Sequence, residues 1–243
     1  MKEFSLKSIY RKQMFFPGTA GMFLNPFYFA RKNLALHLKE LGHHITGRTL
    51  DIGCGVKPYR ELFRSSEYIG LEPDTPQNRK NKHADYYYDG HTFPFNNGEF
   101  DSAVCSQVFE HVFYPEEFLA EIFRILKPKG NLLLTTPFIW DEHEQPFDFA
   151  RYSSYGLKYL LQKQGFEIIE FRKSTEDIRL IFQLIAAFLH KKILQNRGIV
   201  NIIMTLLFIS PVNIAGELFG MISPRNEDMY LDNIVLAAKR ELP

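Results

Sequence analysis

Cysteine is scarce in this sequence, and its two cysteines form no metal-binding pattern. Cys54 and Cys105 each lie in an apolar stretch, and the 243 residues contain no C-x-x-C pair or His/Cys group with the spacing of a zinc site. Isolated thiols of this kind are typical of reduced core cysteines in a cytoplasmic protein. We therefore expect no metal site.

An excess of one charge sign is also missing. The 29 Lys and Arg residues nearly balance the 28 Asp and Glu residues, so the formal net charge is +1. Such a balance gives no broad positive field for a nucleic-acid backbone, and DNA and RNA are not expected partners. The start of the chain, MKEFSLKSIYRKQMF, has no uninterrupted apolar stretch before a small-residue cleavage site, so we predict no secretory signal and expect a cytoplasmic protein.

What is present suits one α/β core with additions, since 45% of the residues are hydrophobic. Residues 1–24 show no clear period, whereas apolar residues at helical spacing from Phe27 to Leu41 predict a helix. We predict an N-terminal helical extension over 1–45, a main domain over 46–175 and 228–243, and an apolar helical insertion over 176–227.

Between Arg48 and Phe171, short β-rich runs alternate with helical patterns, which is typical of a parallel sheet covered on both faces. The clearest helices are PEEFLAEIFRIL, with Pro115 in its first turn, and SSYGLKYLLQKQG, capped by Ser153 or Ser154. The predicted strands are 49–53, 68–72, 86–88, 101–106, 132–136 and 166–171, with a last strand in LDNIVLAAKR.

The first predicted strand leads into a glycine turn. The segment TLDIGCGV ends in Gly53-Cys54-Gly55, where missing Cβ atoms allow a tight turn and a ligand against the backbone. Nineteen positions after Gly53, Glu72 ends the second predicted strand, and an acid there accepts hydrogen bonds from the hydroxyls of a ribose. This order of elements predicts a nucleoside-binding unit.

Proline at position 58 discriminates between nucleoside cofactors. A dinucleotide site needs a third glycine there, so Pro58 disfavours NAD and FAD and makes an oxidoreductase the weakest alternative. S-adenosylmethionine carries no phosphate, and its sulfonium is better matched by a carboxylate such as Asp51. Asp51 could instead be a strand-end residue that ties down the glycine turn.

Two longer runs resemble a known family. DGHTFPFNNGEFDSAVCSQVFEHV and RILKPKGNLLLTTP are similar to the third-strand acid, fourth strand, Glu-His-Val exit, Lys-Pro-Gly turn and fifth strand of the type 11 group of class I S-adenosylmethionine-dependent methyltransferases. The resemblance spans Arg48 to Glu170. It implies a Rossmann-like α/β fold: a seven-stranded, mainly parallel sheet with helices on both faces, an antiparallel last strand and a helical insertion before it.

The resemblance also implies S-adenosyl-L-methionine as cofactor. The glycine turn would hold its methionine part, Glu72 its ribose and Asp89 its adenine amino group, which a carboxylate suits because it only accepts hydrogen bonds. Asp89 could instead close an Asp-Gly turn, and Phe93 and Phe95 could be either neighbours of the adenine or core residues. The predicted cofactor residues are Asp51, Gly53, Cys54, Gly55, Glu72, Asp89, Gly90, Ser106 and Gln107.

The segment FIWDEHEQPFDFARYSSYGL, after the fifth strand, is dense in titratable groups beside aromatics. It is similar to a pattern in type 11 members associated with bacterial cell-envelope glycan pathways, and it should border the acceptor pocket because parallel strands end at one edge. His143 is the first candidate for a general base, oriented by Glu144 or Asp148, and His111 is the alternative. Each could instead be structural; Asp148 with Arg151 could be an ion pair that fixes the loop.

The run IVNIIMTLLFISPVNIAG, residues 199–216, carries no charge and is close to the lower length limit for crossing a bilayer. An insertion before an antiparallel last strand leaves and re-enters at one edge of the sheet, so a single span is not expected. Two short spans, a re-entrant or surface-lying helical hairpin, or a buried helical cap remain open. We expect Pro211 to break the run into halves that suit the hairpin or the cap better than the spans. The expected result is a helical lid at the acceptor site, with residues 178–222 in peripheral contact with the inner face of a membrane, or a buried cap.

The predicted activity is methyl transfer to a hydroxyl of a sugar or lipid-linked glycan. Two alternatives stay open. One is methylation of a small lipophilic metabolite. The other is a catalytically silent subunit that binds S-adenosylmethionine and pairs with another protein.

Overall fold

The computed structural model describes residues 6–193 and 199–241. Parts of three predictions lie outside these residues: positions 1–5 of the extension, 194–198 of the insertion and 242–243 of the last domain segment. In the described residues, the chain builds a seven-stranded sheet in the order β3-β2-β1-β4-β5-β7-β6. The strands are β1 Thr46–Ile52, β2 Arg64–Pro73, β3 Tyr86–Tyr88, β4 Phe100–Ser106, β5 Leu126–Pro137, β6 Phe166–Lys173 and β7 Asp232–Lys239.

The directions of the strands confirm the predicted fold class. β1 to β5 pair in parallel, and β7 runs antiparallel to β5. The carboxyl ends of the five parallel strands therefore meet at one edge of the sheet, which is called the carboxyl edge below. β5 begins at Leu126 rather than at the predicted Leu132, because Leu126 pairs with Phe100 ahead of an irregular stretch in the ladder.

The helices in the described residues surround this sheet and form the insertion before β7. Helix α5 buries Phe118, Leu119, Ile122 and Ile125 on one face, as its spacing predicts, and α6 is capped by Ser153, whose hydroxyl accepts from the Gly156 N–H at 3.2 Å. The helices are α1 Leu6–Phe15, α2 Thr19–Leu24, α3 Tyr28–Leu41, α4 Pro76–Asn81, α5 Pro115–Ile125, α6 Ser154–Lys163, α7 Arg179–Ile193, α8 Ile199–Met204 and α9 Ser210–Gly220.

Chain contacts divide the molecule into two compact units. The sheet unit comprises residues 38–138, 142–172 and 232–243, and the helical unit comprises 1–37, 139–141 and 173–231. The core of the sheet unit is a continuous apolar cluster in which Leu50, Cys105 and Leu134 of three adjacent strands are fully buried. The carboxyl edge of β1 to β5 belongs to the sheet unit.

The helical unit is held by buried amides as well as by apolar packing. The fully buried Gln183 of α7 accepts from the Phe29 and Ala30 N–H groups in the first turn of α3. Asn213 of α9 donates to the carbonyls of Met22 and Asn25, at the end of α2. The Asn213 contacts explain why α2, which apolar spacing did not predict, is present: a partner distant in sequence completes backbone hydrogen bonds at its end.

The expected break at Pro211 is wrong. Residues Thr205–Ile209 form a π-helical turn between α8 and α9, and Pro211 lies directly after this turn, in the first turn of α9. Helix geometry therefore continues through the proline. The stretch Val200–Gly220 has a mean hydropathy of 1.8 and is long and apolar enough to cross a membrane by length and composition alone, with 28% of its window buried.

Candidate functional site at the carboxyl edge

The turn after β1 uses its two glycines differently. Both have left-handed backbone angles, with φ of +67° at Gly53 and +48° at Gly55. A Cβ at Gly53 would overlap the side chain of Val108, so close packing requires that glycine. At Gly55, no atom of the described residues would lie within 4 Å of a Cβ, apart from the chain neighbours. Gly55 therefore leaves a cradle along the backbone that a bound molecule can fill.

Glu72 reaches this turn from the end of β2. Its Oε1 accepts a hydrogen bond from the Gly55 N–H at 2.6 Å, and its Oε2 accepts from the side-chain amide of Asn78 at 3.3 Å. Burial raises the pKa of Glu72, and the Gly55 hydrogen bond opposes that shift. The predicted glycine turn and ribose acid thus lie together, with the carboxyl group anchored beside the cradle.

Asp51 and Cys54 lie behind the same turn. Asp51 is buried, accepts a hydrogen bond from the Tyr68 hydroxyl, and has its pKa raised to about 7, chiefly by burial. Burial also raises the pKa of the Cys54 thiol, which therefore stays protonated. Asp51 is the group in this turn whose charge changes near neutral pH.

At the end of β3, Asp89 is exposed and caps its own turn. Its Oδ1 accepts from the His91 and Thr92 N–H groups at 2.9 and 2.8 Å, and these bonds lower its pKa. The neighbouring Gly90 lines a cleft of about 270 Å³. Phe93 and Phe95 are buried in the core of the sheet unit, so packing accounts for both.

Ser106 and Gln107, at the end of β4, connect neighbouring strands. The Ser106 hydroxyl lies 3.0 Å from the Thr135 hydroxyl of β5. The side-chain amide of Gln107 donates to Thr135 at 3.3 Å and to Asp232 of β7 at 3.2 Å. These contacts hold both side chains against β5 and β7 at the carboxyl edge, and the cofactor role of both residues stays a prediction.

Glu110 is a buried acid that the sequence reasoning assigned no role. It lies in the short helical turn Phe109–His111, is fully buried, and accepts a hydrogen bond at Oε2 from the Thr136 hydroxyl at 3.1 Å. Its Oε1 has no hydrogen-bond partner, and burial raises the pKa of the carboxyl group to about 8. A useful signal was present in the sequence: an acid flanked by the apolar residues of VFEHV.

The two candidate histidines converge on that carboxyl group. Their rings meet edge to face with centroids 4.7 Å apart, although 32 positions separate them in the sequence. Nε2 of His111 lies 3.8 Å and Nε2 of His143 lies 3.9 Å from Glu110 Oε1. The ligand atoms of Glu110, His111 and His143 all lie within 4.8 Å of one another, so this trio can hold a proton or a cation.

Asp148 and Glu144, the predicted orienting groups, have different surroundings. Asp148 forms a two-pronged ion pair with Arg151 at 2.6 and 2.7 Å, which lowers its pKa to about 2, and it lies 3.3 Å from His143 Nδ1. Glu144 is exposed and lies 4.0 Å from His111 Nε2. Its negative charge also adds to the raised pKa of Glu72, which lies beside the cradle at Gly55.

Comparisons with known proteins agree with this geometry. Residues 25–171 match the Methyltransferase domain family. A sterol 24-C-methyltransferase of Candida albicans is 26% identical over 181 residues, which cover 61% of this chain and 48% of that protein. A probable S-adenosylmethionine-dependent methyltransferase of Mycolicibacterium smegmatis is 27% identical over 155 residues, covering 58% of this chain and 60% of that protein. The chain thus spans about half the length of these relatives.

Among solved structures, phosphoethanolamine N-methyltransferase 2 of Haemonchus contortus, in complex with S-adenosyl-L-methionine, has the same fold. Its TM-score is 0.54 at 19% sequence identity, with 91% of this chain and 56% of that chain covered. The family match covers more than half of the chain. Since the fold, the glycine turn and the family match agree, the chain belongs to the Methyltransferase domain family of class I S-adenosylmethionine-dependent enzymes.

Proposed function

We propose that the protein transfers the methyl group of S-adenosylmethionine to a hydroxyl of a sugar or lipid-linked glycan. The observation that carries this proposal is the convergence of Glu110, His111 and His143 at the carboxyl edge. A hydroxyl must lose its proton as its oxygen attacks a methyl group, and general bases of this kind contribute about 10²–10⁴-fold to such reactions.

The cofactor is proposed to occupy the cradle over Gly55. The methionine part would lie against Asp51 and the turn from Gly53 through Cys54 to Gly55, the ribose would replace the Gly55 N–H as a partner of Glu72, and the adenine would lie towards Asp89 and Gly90, with Ser106 and Gln107 beneath. The open space at Gly55 supports this placement. When bound, the cofactor supplies an activated methyl group on a cationic sulfur.

The chain's own residues would then prepare the acceptor. His143 is the first candidate to take the hydroxyl proton, and Asp148, held by Arg151, orients its ring. His111 is the alternative base, with its Nδ1 fixed 2.8 Å from the Phe147 carbonyl. Holding the hydroxyl in line with the methyl group, away from water, would supply most of the remaining rate.

Exposed aromatic side chains beside the cleft support a sugar as acceptor. Phe113, Tyr114 and Phe149 line the cleft together with His111, and their exposed fractions are 63%, 53% and 43%. Phe113 contacts both other rings, with centroid distances of 4.9 and 5.1 Å. Exposed apolar clusters of this kind mark binding sites. Flat aromatic rings suit the apolar C–H face of a sugar, and the polar groups next to them suit its hydroxyls.

A labelled-methyl assay tests this proposal. Purified protein is incubated with S-adenosylmethionine carrying a tritiated methyl group and with separate pools of hexoses, lipid-linked oligosaccharides, sterols and phosphoethanolamine. Label in a sugar hydroxyl supports the proposal. Label confined to sterols or phosphoethanolamine overturns the acceptor assignment. Cofactor binding without label in any pool favours the catalytically silent subunit.

A small lipophilic acceptor is the second candidate, and a cavity in the helical unit favours it. This cavity has a volume of about 510 Å³ and is lined mainly by apolar side chains, among them Met14, Leu24, Phe27 and Ile202. The relative from Candida albicans is named for a sterol substrate. Binding of a fluorescent sterol that Ile202→Asp abolishes would support this candidate.

We also propose peripheral membrane contact through the helical unit, which would bring a lipid-linked acceptor to a cytoplasmic protein. Leu207, Leu218, Met221 and Ile222 are more than half exposed, with 81% exposure at the last two. Flotation with anionic vesicles is expected for the natural chain and not for Met221→Ser/Ile222→Ser. Equal flotation of both, or of neither, contradicts the contact.

A further inference from the structure

We propose that Glu110, His111 and His143 bind one divalent transition-metal ion of the zinc class. Sequence spacing gave no such expectation, because Glu110 and His143 are brought together only by the fold. Their ligand atoms, one carboxylate oxygen and two imidazole nitrogens, lie within 4.8 Å of one another. Carboxylate with imidazole is a ligand set found in zinc sites of enzymes.

The buried carboxyl oxygen is the first independent observation. The side chain of Glu110 has 0% exposure, and whereas its Oε2 accepts from Thr136, its Oε1 has no hydrogen-bond partner. Buried carboxyl oxygens are normally paired, and one without a donor requires an explanation such as a bound ion. This oxygen points towards the two histidine rings, at 3.8 and 3.9 Å from their Nε2 atoms.

The state of the His111 ring is the second observation. Its Nδ1 lies 2.8 Å from the carbonyl oxygen of Phe147. A carbonyl can only accept, so Nδ1 carries a hydrogen, and in the tautomer that has its hydrogen only there Nε2 presents a lone pair towards Glu110. A histidine that ligates a metal almost always donates its other N–H to a carbonyl or carboxylate in this way.

His143 has the corresponding arrangement. Its Nδ1 lies 3.3 Å from a carboxylate oxygen of Asp148, and the same oxygen accepts from the His143 backbone N–H at 3.0 Å. Arg151 is closer to Asp148, at 2.6 Å, than to the ring nitrogen, at 3.5 Å, so Asp148 is held in position as the acceptor. Nε2 of His143 thus also faces Glu110 as a potential ligand.

The separations between the three ligand atoms suit a small ion once the two histidine rings rotate towards Glu110. A tetrahedral ion with bonds of about 2.0–2.1 Å separates its ligands by about 3.3–3.4 Å. The two nitrogen–oxygen distances, 3.8 and 3.9 Å, need to shorten by about half an ångström. The two histidine nitrogens, which lie within 4.8 Å of each other, need to approach by up to about 1.4 Å, and rotations of the two partly exposed rings bring them together. Magnesium and calcium prefer oxygen ligands, so two imidazoles select against them.

Three protein ligands leave at least one coordination position open, as in catalytic rather than structural zinc sites. His111 lines the 270 Å³ cleft, so a ligand in the cleft can reach that position. If the proposed function holds, the bound ion takes over the role of the histidine base, because His111 and His143 then serve as ligands: an acceptor hydroxyl bound there loses its proton more readily, and the proton passes to the exposed Glu144 and then to water. The alkoxide oxygen bonds to the methyl carbon while the carbon–sulfur bond breaks, leaving a neutral thioether.

The experiment measures metal binding directly on the full chain. Chelator-treated protein is titrated with Zn²⁺ by calorimetry and with Co²⁺ by visible absorption. The natural chain is expected to bind one equivalent of each, with a visible band for Co²⁺. His143→Ala is expected to weaken Zn²⁺ binding by at least about 100-fold, and Asp148→Asn by about 10–100-fold. The control is His43→Ala, an exposed histidine outside the trio.

Circular dichroism and S-adenosylmethionine calorimetry check that the variants are folded. The side chain of His143 is 27% exposed and that of Glu110 is 0% exposed, so the replacement of His143 keeps the test open if a Glu110 variant does not fold. Equal Zn²⁺ affinity in the natural chain, His143→Ala and His111→Ala, or no bound equivalent, overturns the proposal. Full methyl transfer by metal-free protein overturns a catalytic ion and leaves the proposed function standing. One bound ion without methyl transfer to any sugar supports the site and refutes the proposed acceptor.

Discussion

The proposed cofactor side and the proposed acceptor side of the carboxyl edge, called the cofactor side and the acceptor side below, are built by different means. On the cofactor side, Gly55 and Glu72 follow directly on two adjacent strands, and one backbone hydrogen bond joins them. On the acceptor side, His143 comes from a long loop and reaches its place beside Glu110 only through packing. Local turn geometry therefore determines the first region, and a buried carboxyl group organises the second.

The largest expected effect separates binding from turnover. His143→Ala should lower the rate of methyl transfer by about 10²–10⁴-fold while the Kd for S-adenosylmethionine changes by less than about twofold, because the ring lies on the acceptor side. Stopped assays and calorimetry measure the two quantities. The matched control is His43→Ala, an exposed histidine that does not line the cleft. A parallel loss of cofactor affinity would show that the two sides are not independent.

Asp51 should give the cofactor side a distinctive pH dependence. Its pKa is about 7 in the folded chain and 3.8 in the reference state, so the folded state binds more protons between these values. Unfolding free energy should therefore fall as pH rises from about 4 to 7, by up to about 4 kcal/mol. Urea unfolding across this range measures it.

The comparison variant for that experiment is Asp51→Asn, which keeps a hydrogen-bonding partner for Tyr68 and cannot ionise. The difference in unfolding free energy between this variant and the natural chain should grow in favour of the variant from pH 4 to 7. Parallel curves for the two proteins would mean that Asp51 ionises normally.

The two glycines of the turn should separate stability from binding. Gly53→Ala should lower the unfolding free energy by about 2–5 kcal/mol, because it places an alanine in a left-handed backbone conformation and its Cβ against Val108. Gly55→Ala should lower the unfolding free energy only through its left-handed backbone conformation, by about 1–2 kcal/mol, and its methyl group should weaken cofactor binding by filling the cradle. Thermal melts and calorimetry compare the pair. Equal destabilisation, with cofactor affinity unchanged at Gly55→Ala, would count against the cradle.

The smallest effect concerns the ribose acid. Glu72→Gln should raise the Kd for S-adenosylmethionine by about 10–100-fold, because hydrogen bonds to a charged acceptor are worth about 1.5–3 kcal/mol, and the rate at saturation should stay the same. Asp74→Asn, on an exposed neighbouring acid, serves as control. A changed saturated rate would place Glu72 in the chemistry instead.

The sheet and the cofactor side could be predicted because their signals lie close together in the sequence. An apolar strand, two glycines and an acid at fixed spacing specify the turn and its partner through backbone geometry alone. Helix α5 could be predicted for the same reason, because its buried apolar residues recur at helical spacing within eleven residues. Fold class, family and cofactor follow from such short-range patterns.

The remainder depended on contacts that no short window contains. Glu110 was overlooked because its importance comes from burial and from a histidine 33 positions later. The end of α2 depends on Asn213, which lies 191 positions after Met22. The effect of Pro211 was misjudged because a π-helical turn absorbs it, and helical periodicity does not reveal such a turn.

Glu110 also tethers the loop that carries His143. Its main-chain carbonyl accepts the N–H groups of Phe149 and Ala150, at 2.9 and 3.1 Å, while its side chain faces the histidines. Replacing the side chain leaves this double attachment intact, because the backbone makes it. Aromatic positions along the cleft can therefore be varied to admit new acceptors, while the reactive groups keep their registration with the sheet. For the design of altered specificity, the backbone bonds to Glu110 stay fixed while the aromatic residues that line the cleft can be changed.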